Sequence, residues 1–328
     1  MSVVVTGAAG FVGTHLVAAL RRAGHTVVGI DRRPAPPAEG FVPLTVDLLD
    51  GDEAADDALR QAEAVFHVAG LPGVRDTSEG VEERRIRDNV LATERVLGLV
   101  PPDTPLVVTS SSSVYGGTPD GRPCREDGPL RPLGGYAASK LAMERRCEPR
   151  AAAGGLVTVC RLFTVAGEGQ RPDMALSLWT EAVLAGRPLR VLGSTRRSRD
   201  LVDVRHVVTA LRLLAERATT ATVNVGTGTG HTLAEMIAAL GAALGREPVV
   251  QLAPPAEVDP AATLADPSRL EALTGFRPRT DLEALVRRQV AAALTARGQR
   301  TVLPEPTGVA AAAALAAAAE QAESVEVA

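Results

Sequence analysis

The sequence predicts an α/β fold, in which a Rossmann-type doubly wound parallel sheet is followed by a smaller, mixed α/β C-terminal region. Over the first 110 residues, short apolar runs alternate with stretches whose apolar residues recur at helical spacing. Such alternation is typical of parallel βαβ units. A glycine-rich turn at positions 7–13 joins the first of these runs to the first helical stretch.

The expected elements follow in order along this first half. The runs are short and mostly β-branched, which is typical of strands buried on both faces. The expected strands are residues 3–6, 26–30, 41–46, 64–68, 106–110 and 156–162. The expected helices are residues 11–23, 52–61, 82–99 and 136–153. In the first helix, Phe11, Leu16 and Leu20 belong to one apolar stripe.

The alternation of predicted strands and helices ends after Gly167. Helical segments are then joined by loops rich in Gly, Pro and Arg, at residues 174–185, 204–216, 233–244 and 282–295. We therefore predict a domain at 1–166 and a second at 167–300, with some exchange of strands or helices between them. Residues 301–328 form a low-complexity tail whose Ala run has no amphipathic face, and we assign it no function.

Composition excludes several classes of protein. The 328 residues carry 35 Lys and Arg against 39 Asp and Glu, a net charge of −4, which argues against nucleic acid or an anionic membrane as a partner. Three scattered Cys are too few for a disulfide framework or a zinc site. No metal is therefore expected. No signal peptide or run of membrane-spanning length is evident, so a cytoplasmic location is expected.

The turn TGAAGFVG, residues 6–13, predicts a binding site for a dinucleotide. Gly7, Gly10 and Gly13 allow a tight turn and close approach of a pyrophosphate to the positive end of the first helix. Asp31 lies 18 residues after Gly13, where an acid accepts hydrogen bonds from a ribose diol. An acid repels a 2′-phosphate, so NAD is expected over NADP, although Arg32 and Arg33 follow directly. The alternative is a structural turn with a solvated Asp.

Tyr136 and Lys140 form the second signal, because residues four apart share one face of a helix. The Lys charge, together with that of an oxidised nicotinamide, is expected to lower the pKa of the phenol. The run TSSSSVYG at 109–116 follows a predicted strand, and the carboxyl ends of such strands face the ligand crevice. A Ser–Tyr–Lys set therefore assembles there. A polar turn is the alternative interpretation of the Ser run.

These motifs, with DL at 47–48, HVAG at 67–70 and Asn89, resemble the extended short-chain dehydrogenase/reductases. More closely, residues of about 3–296 resemble the nucleotide-sugar epimerase/dehydratase family. The resemblance implies tightly held NAD, a UDP- or dTDP-sugar substrate and a hydride step at sugar C4. It makes Tyr136 the acid/base, with Ser111 beside the reacting oxygen and Lys140 on the nicotinamide ribose. The residues predicted to bind the cofactor, besides Tyr136 and Lys140, are Gly7, Gly10, Phe11, Val12, Gly13, Asp31, Arg32, Asp47, Leu48, Val68, Ala69, Gly70 and Asn89.

Ser112 and Ser113 bear on which reaction of the family this chain catalyses. Dehydratases of the family usually carry an Asp-Glu pair at these two places to eliminate water. Serine has no acid–base competence near neutral pH, so dehydration is disfavoured. Epimerisation needs only the Tyr.

The stretch RLFTVAGEGQRPDMA at 161–175 is similar to a signature of UDP-glucuronate 4-epimerases. Arg171 would offer a guanidinium fork to the C6 carboxylate, with Ser112 and Ser113 on its other oxygen. Holding the carboxylate near the ring plane would protect the 4-keto uronate, a β-keto acid, from losing CO₂. The alternative for Arg171 is a surface salt bridge or loop anchor.

The other substrate residues implied by the resemblance are Thr164, Arg199 and Asp259. Arg199 lies in SRDLVDV and would contact the diphosphate. Two departures weaken the match. VAG replaces the usual VYG at 165–167, and the segment 254–258 before Asp259 lacks the Arg that clamps the diphosphate in many relatives.

Several functions remain open. The leading one is epimerisation of UDP-glucuronate to UDP-galacturonate. The alternatives are a neutral UDP- or dTDP-sugar 4-epimerase, a UDP-glucuronate decarboxylase, a net dehydrogenase that exchanges NAD(H) with solution, and a non-catalytic NAD-sensing protein. Relatives commonly dimerise through the helices near 82–99 and 136–153, so a homodimer is expected.

Overall fold

The computed structural model describes residues 2–118 and 120–298, so the predicted tail at 301–328 lies outside the described residues. The strands are β1 Val3–Thr6, β2 Val27–Asp31, β3 Phe41–Thr45, β4 Ala64–His67, β5 Leu106–Ser111, β6 Val157–Leu162, β7 Thr164–Ala166, β8 Leu189–Leu192, β9 Ser198–Asp203, β10 Ala221–Val225, β11 Gly230–Thr232 and β12 Val250–Ala253. The α-helices are α1 Phe11–Arg22, α2 Glu53–Arg60, α3 Val81–Arg85, α4 Ala92–Leu99, α5 Gly134–Ala152, α6 Ala175–Leu184, α7 Val204–Glu216, α8 Leu233–Leu244, α9 Ser268–Thr274 and α10 Leu282–Ala296.

The main sheet has seven strands in the order β3-β2-β1-β4-β5-β6-β10, and all neighbours are parallel. The strand order reverses between β1 and β4, and in open α/β sheets ligands bind in the crevice at such a point. Apolar side chains of β1, β4, β5 and β6 pack against helices on both faces. The predicted fold class, a doubly wound parallel sheet, is confirmed.

Strand β10 comes from the C-terminal half of the chain, yet it forms one edge of the main sheet beside β6. Its short segment has too little apolar pattern to be predicted as a strand from sequence. Helix α7, also from the C-terminal half, packs beside α1 in the same apolar core. The two halves of the chain therefore share the main sheet.

The remaining strands lie outside the main sheet. Strands β8 and β12 pair in parallel, and β9 lies between β7 and β11 in a three-stranded sheet. Helices α6, α8 and α10 pack around Trp179, Leu189, Ile237 and Leu285 to form a separate apolar core. These strands are not resolved by the sequence pattern, because four of them have only three or four residues and β9 carries three charged side chains among its six residues.

The predicted helix at 82–99 is interrupted. Between α3 and α4, residues Ile86–Leu91 form a π-helical turn. Apolar spacing alone does not distinguish the wider turn from a continuous α-helix, and such turns often occur at functional sites. The turn buries Asp88 and Asn89. Within residues 2–118 and 120–298, no helix has both the length and the apolar character needed to cross a bilayer.

Candidate active site

The glycine turn after β1 is crowded by backbone. Gly7 has a φ of +71°, and a Cβ added there would lie 2.7 Å from the Ala69 nitrogen. A Cβ on Gly13 would lie 2.0 Å from the Gly7 carbonyl oxygen. Helix α1 starts directly afterwards, and Gly10 gives it no side-chain cap. The first-turn N–H groups therefore stay available for a phosphate, which is what a pyrophosphate cradle requires.

Asp31, which is predicted to bind the adenosine ribose, lies at the end of β2 and lines the cleft. One oxygen of this carboxylate accepts a hydrogen bond from the Ala9 N–H at 2.9 Å, and the other accepts one from the Arg33 N–H at 2.9 Å. Asp47 and Leu48 line the same pocket. Burial raises the pKa of Asp47, but the Leu49 N–H and the guanidiniums beside it outweigh burial and hold the pKa below its usual range.

Ser111, Tyr136 and Lys140 converge at the carboxyl end of β5. The Lys140 Nζ donates a hydrogen bond to the Thr109 carbonyl oxygen at 3.0 Å, which fixes α5 against this strand end. Ser111 stands at the end of β5 and Tyr136 near the start of α5, and the Ser111 hydroxyl lowers the pKa of the phenol. All three side chains line the same cleft, as an acid/base site requires.

The pKa of Tyr136 differs from the sequence expectation. Burial raises it above its usual value, while the Ser111 hydrogen bond and the charges of Arg171 and Arg85 lower it in part. Lys140 is not among the charges that lower this pKa in the protein alone, where its ammonium donates to the Thr109 carbonyl oxygen. Its expected effect together with an oxidised nicotinamide stays a prediction. Burial also lowers the pKa of Lys140 to about 8, although the charge of Glu144 opposes this shift.

Asn89 requires a correction. It is fully buried and does not line the cleft, although all the other predicted site residues do. Its amide accepts a hydrogen bond from the Leu71 N–H at 2.7 Å and donates to the Ser139 hydroxyl at 2.9 Å. Asn89 therefore positions the loop after β4 and does not reach the cofactor side of the cleft.

The predicted substrate residues line the other half of the same cleft, whose volume is about 930 Å³. Ser112 and Ser113 lie on a 3₁₀ turn directly after β5, and Thr164 begins β7. Arg171 forms a two-pronged ion pair with Asp173 at 2.7 and 2.9 Å. Arg199 on β9 pairs with Asp259 at 2.7 Å.

Two features of the site are missed by the sequence reasoning. Arg75, in the loop after β4, and Arg190, on β8, also line the cleft. Arg75 lies eight residues after the end of β4, and its place in a loop that follows a parallel strand is the only local signal for it. Beneath the cleft, Glu144 accepts hydrogen bonds from Ser110 and Arg161. Its helical spacing from Lys140 is a signal that the sequence does contain.

The site fits NAD, with a glycine cradle, an acid at the end of β2 and a Tyr–Lys pair in one cleft. Residues 3–226 match the NAD dependent epimerase/dehydratase family, so the chain belongs to this family. A probable UDP-glucuronate 4-epimerase of Rhizobium meliloti is 32% identical, covering 88% of this chain and 96% of that protein. A UDP-glucose 4-epimerase of Azospirillum brasilense is also 32% identical, over 87% of this chain and 90% of that protein.

Solved structures give the same result. MoeE5 in complex with UDP-glucuronic acid and NAD is 36% identical, with a TM-score of 0.82 over 90% of this chain and 100% of that one. The UDP-glucuronic acid 4-epimerase of Bacillus cereus, in complex with UDP-glucuronic acid and NAD, is 25% identical, with a TM-score of 0.84 and the same coverage. The predicted family, the class of NAD-dependent nucleotide-sugar epimerases and the NAD cofactor are confirmed.

Proposed function

We propose that this protein is a 4-epimerase that interconverts UDP-glucuronate and UDP-galacturonate through a 4-keto intermediate. The observation that carries this proposal is that Arg171 and Tyr136 line the same cleft, where the charge of Arg171 offsets part of the rise that burial gives to the pKa of the phenol. In a uronate, the C6 carboxylate is attached to C5, next to the reacting C4. An acid/base acting at C4 therefore needs the cation for the carboxylate nearby, and Arg171 is placed to supply it.

The acid/base step belongs to Tyr136. When bound, NAD would supply the acceptor for the C4 hydride and then its donor, with return to the opposite face of the 4-keto sugar giving the other epimer. Tyr136 takes the proton of the C4 hydroxyl and later gives it back, while the Ser111 hydroxyl holds the same oxygen by a hydrogen bond. The positive end of α5, which begins at Gly134, stabilises negative charge on the phenol oxygen and so opposes the effect of burial.

The carboxylate side of the site would be formed by Ser112, Ser113, Thr164 and Arg171. Ser113 supports this, because its hydroxyl oxygen is buried in the cleft wall and has no hydrogen-bond partner among the described residues. A buried hydroxyl of this kind usually has a partner, and a ligand oxygen would provide one. Gripping the carboxylate near the ring plane keeps the bond to CO₂ out of overlap with the C4 ketone, so decarboxylation is suppressed.

The diphosphate would be held by Arg199, with Asp259 orienting its guanidinium. Burial lowers the pKa of Arg199, and the paired carboxylate opposes that shift, so the side chain stays charged and ordered. Asp259 thus acts on the nucleotide through Arg199. This arrangement offers one fixed cation on β9 for the diphosphate, although the segment before Asp259 has no Arg.

A second candidate is a 4-epimerase of neutral UDP-sugars. Two observations favour it. UDP-glucose 4-epimerases are as similar to this chain as the UDP-glucuronate enzymes are. In addition, both prongs of Arg171 are already engaged by Asp173 in the protein alone. Under the leading proposal, the substrate carboxylate shares or replaces this partner.

Arg171→Gln separates the two candidates. We expect kcat/KM for UDP-glucuronate to fall about 10²-fold, since one partner of a close charge pair is lost, while turnover of UDP-glucose changes less than twofold. Release of CO₂ from UDP-glucuronate should rise in the variant. Arg60→Gln, in an exposed pair with Asp57, is the matched control. Equal losses on both sugars would remove the carboxylate role of Arg171.

We also propose a cytoplasmic homodimer, in which residues 1–166 hold NAD and the reacting end of the sugar, while residues 167–300 hold the rest of the nucleotide sugar. Ile86 and Leu91, 48% and 43% exposed, place apolar surface on the segment from α3 to α4, where the dimer contact is expected. Light scattering of the full chain should give twice the monomer mass, and Ile86→Glu should halve it. A monomeric wild-type protein would rule the dimer out.

A further inference from the structure

Four charged side chains form a closed ring at the adenosine end of the cleft. Arg32 donates to both oxygens of Asp88, at 2.9 and 3.3 Å. Arg87 donates to Asp88 at 2.7 Å and to Asp47 at 2.8 Å. An Asp47 carboxylate oxygen lies 3.7 Å from the Arg32 guanidinium, and this contact closes the ring. Both partners of Arg32 are carboxylates of the protein, so its fork is occupied.

The neighbouring Arg33 is engaged elsewhere. Its Nη2 donates to the Ala9 carbonyl oxygen at 2.5 Å, and its Nε lies 3.7 Å from Asp31. It is therefore turned to the glycine turn. The two arginines that follow Asp31, and that would suit a 2′-phosphate, are both directed at other groups of the protein.

Net charge does not explain how a 2′-phosphate would be refused here. Three cations and three anions gather at this end of the cleft and balance, namely Arg32, Arg33 and Arg87 with Asp31, Asp47 and Asp88. The direction of each guanidinium decides whether a phosphate can bind. A guanidinium binds a phosphate bidentately only when no other group occupies it and it faces that phosphate.

We propose that Asp88 is a positioning residue for the choice of dinucleotide, because it holds Arg32 in a bidentate pair and keeps this guanidinium off the ribose 2′ position. The protein thereby discriminates against NADP more strongly than Asp31 alone would allow. Asp88 is suited to this role, since its side chain is only 9% exposed whereas that of Arg32 is 54% exposed. Of the two partners, Asp88 is therefore the one that is fixed by its surroundings, and Arg32 is the one that it holds in place.

Asp88 is positioned beside Arg32 by the π-helical turn between α3 and α4. Residues Ile86–Leu91 form the widened turn, and Asp88 and Asn89 are both buried in it. Asn89 holds the Leu71 loop, while Asp88 faces the cleft. The inference concerns the dinucleotide only, and it depends on family membership rather than on which sugar is the substrate.

Displacement of NADH tests the proposal. The full-length protein is loaded with NADH, whose fluorescence reports occupancy, and is titrated with NAD⁺ or NADP⁺. In Asp88→Asn we expect the dissociation constant of NADP⁺ to fall about tenfold relative to that of NAD⁺, because Arg32 loses its bidentate partner and keeps only the longer contact with Asp47. In the double variant Asp88→Asn with Arg32→Gln, the ratio should return to that of wild type. Asp57→Asn, in the exposed pair with Arg60, should leave the ratio unchanged.

Two results would overturn the proposal. One is a NADP⁺/NAD⁺ ratio in Asp88→Asn within twofold of wild type. The other is a tenfold gain that survives removal of Arg32, since the gain would then come from lost negative charge alone. Arg32→Gln by itself provides a test that does not require Asp88→Asn to fold. We expect an unchanged ratio, and a tenfold loss of NADP⁺ affinity relative to NAD⁺ would show that Arg32 already binds the phosphate.

Discussion

Glu144 and Arg161 form an ion pair inside the protein, with Arg161 Nη2 2.8 Å from Glu144 Oε2. Only 8% of the Glu144 side chain and 5% of the Arg161 side chain are exposed. The Arg161 guanidinium also donates to the phenol oxygen of Tyr115 at 2.9 Å and covers its ring at 4.9 Å. Glu144 accepts in addition from Ser110, the neighbour of Ser111. The pair therefore anchors α5 beneath the proposed acid/base cluster.

Loss of Glu144 should destabilise the fold. Glu144→Gln leaves the buried Arg161 charge without its carboxylate, and we expect a loss of about 3–5 kcal/mol in the free energy of unfolding. Urea unfolding of the full chain measures it. Asp57→Asn breaks the exposed pair with Arg60 and should change stability by less than about 1 kcal/mol. A similar small change in Glu144→Gln would contradict a structural role for the pair.

His67 should make stability depend on pH. Its ring is held between the Thr6 and Thr93 hydroxyls at 2.8 and 2.9 Å, and burial, with the charge of Lys140, lowers its pKa from 6.5 to about 3. Between these values the unfolded state binds a proton that the native state does not, so stability falls as the pH decreases through 6.5.

From pH 7.5 to 5.5, this single histidine should therefore cost the folded state about 1.4 kcal/mol. The comparison is between wild type and His67→Asn, with unfolding measured at both pH values. The variant should lose about that much less than wild type over the same interval. Parallel pH dependences of the two proteins would show that His67 is not kept neutral by its burial.

Gly13→Ala should disrupt the phosphate turn. The added Cβ would lie 2.0 Å from the Gly7 carbonyl oxygen, so the turn and α1 must separate, and we expect NAD affinity to fall at least tenfold. Gly98→Ala is the matched control, since no atom lies within 4 Å of a Cβ at this position in α4. It should raise stability by up to about 1 kcal/mol and leave NAD binding unchanged. Unaltered NADH binding by Gly13→Ala would refute the role of the turn.

Tyr136→Phe should reduce kcat by about 10²–10⁴-fold, because the variant lacks the group that moves the C4 proton. NADH binding should persist, since the ring is retained and Lys140 keeps its bond to Thr109. Turnover is followed by NMR of the sugar nucleotide, and binding by NADH fluorescence. Near wild-type turnover would exclude Tyr136 as the acid/base.

Much of the site could be predicted because its signals are local. The Gly7 turn, Asp31 at a strand end and the four-residue spacing of Tyr136 and Lys140 each need only one strand or helix to be placed correctly. Parallel strands then bring these pieces to one edge of the sheet without further information.

Other relationships depend on tertiary contacts that no local pattern encodes. The direction of the Lys140 ammonium toward Thr109 depends on how α5 packs on β5. Asn89 points away from the cleft because it lies in the π-helical segment. The sequence periodicity of that segment is close to that of the α-helix predicted there. Strand β10 is recognisable only beside β6.

The most direct test of the proposed activity is ¹H NMR of the purified protein with UDP-glucuronate and no added cofactor. We predict a new anomeric signal of UDP-galacturonate, with the same equilibrium reached from either sugar, because hydride taken from C4 returns to it. Conversion of UDP-glucose with UDP-glucuronate left unchanged would contradict the carboxylate site around Arg171. Formation of UDP-xylose and CO₂ from UDP-glucuronate would contradict the epimerase itself.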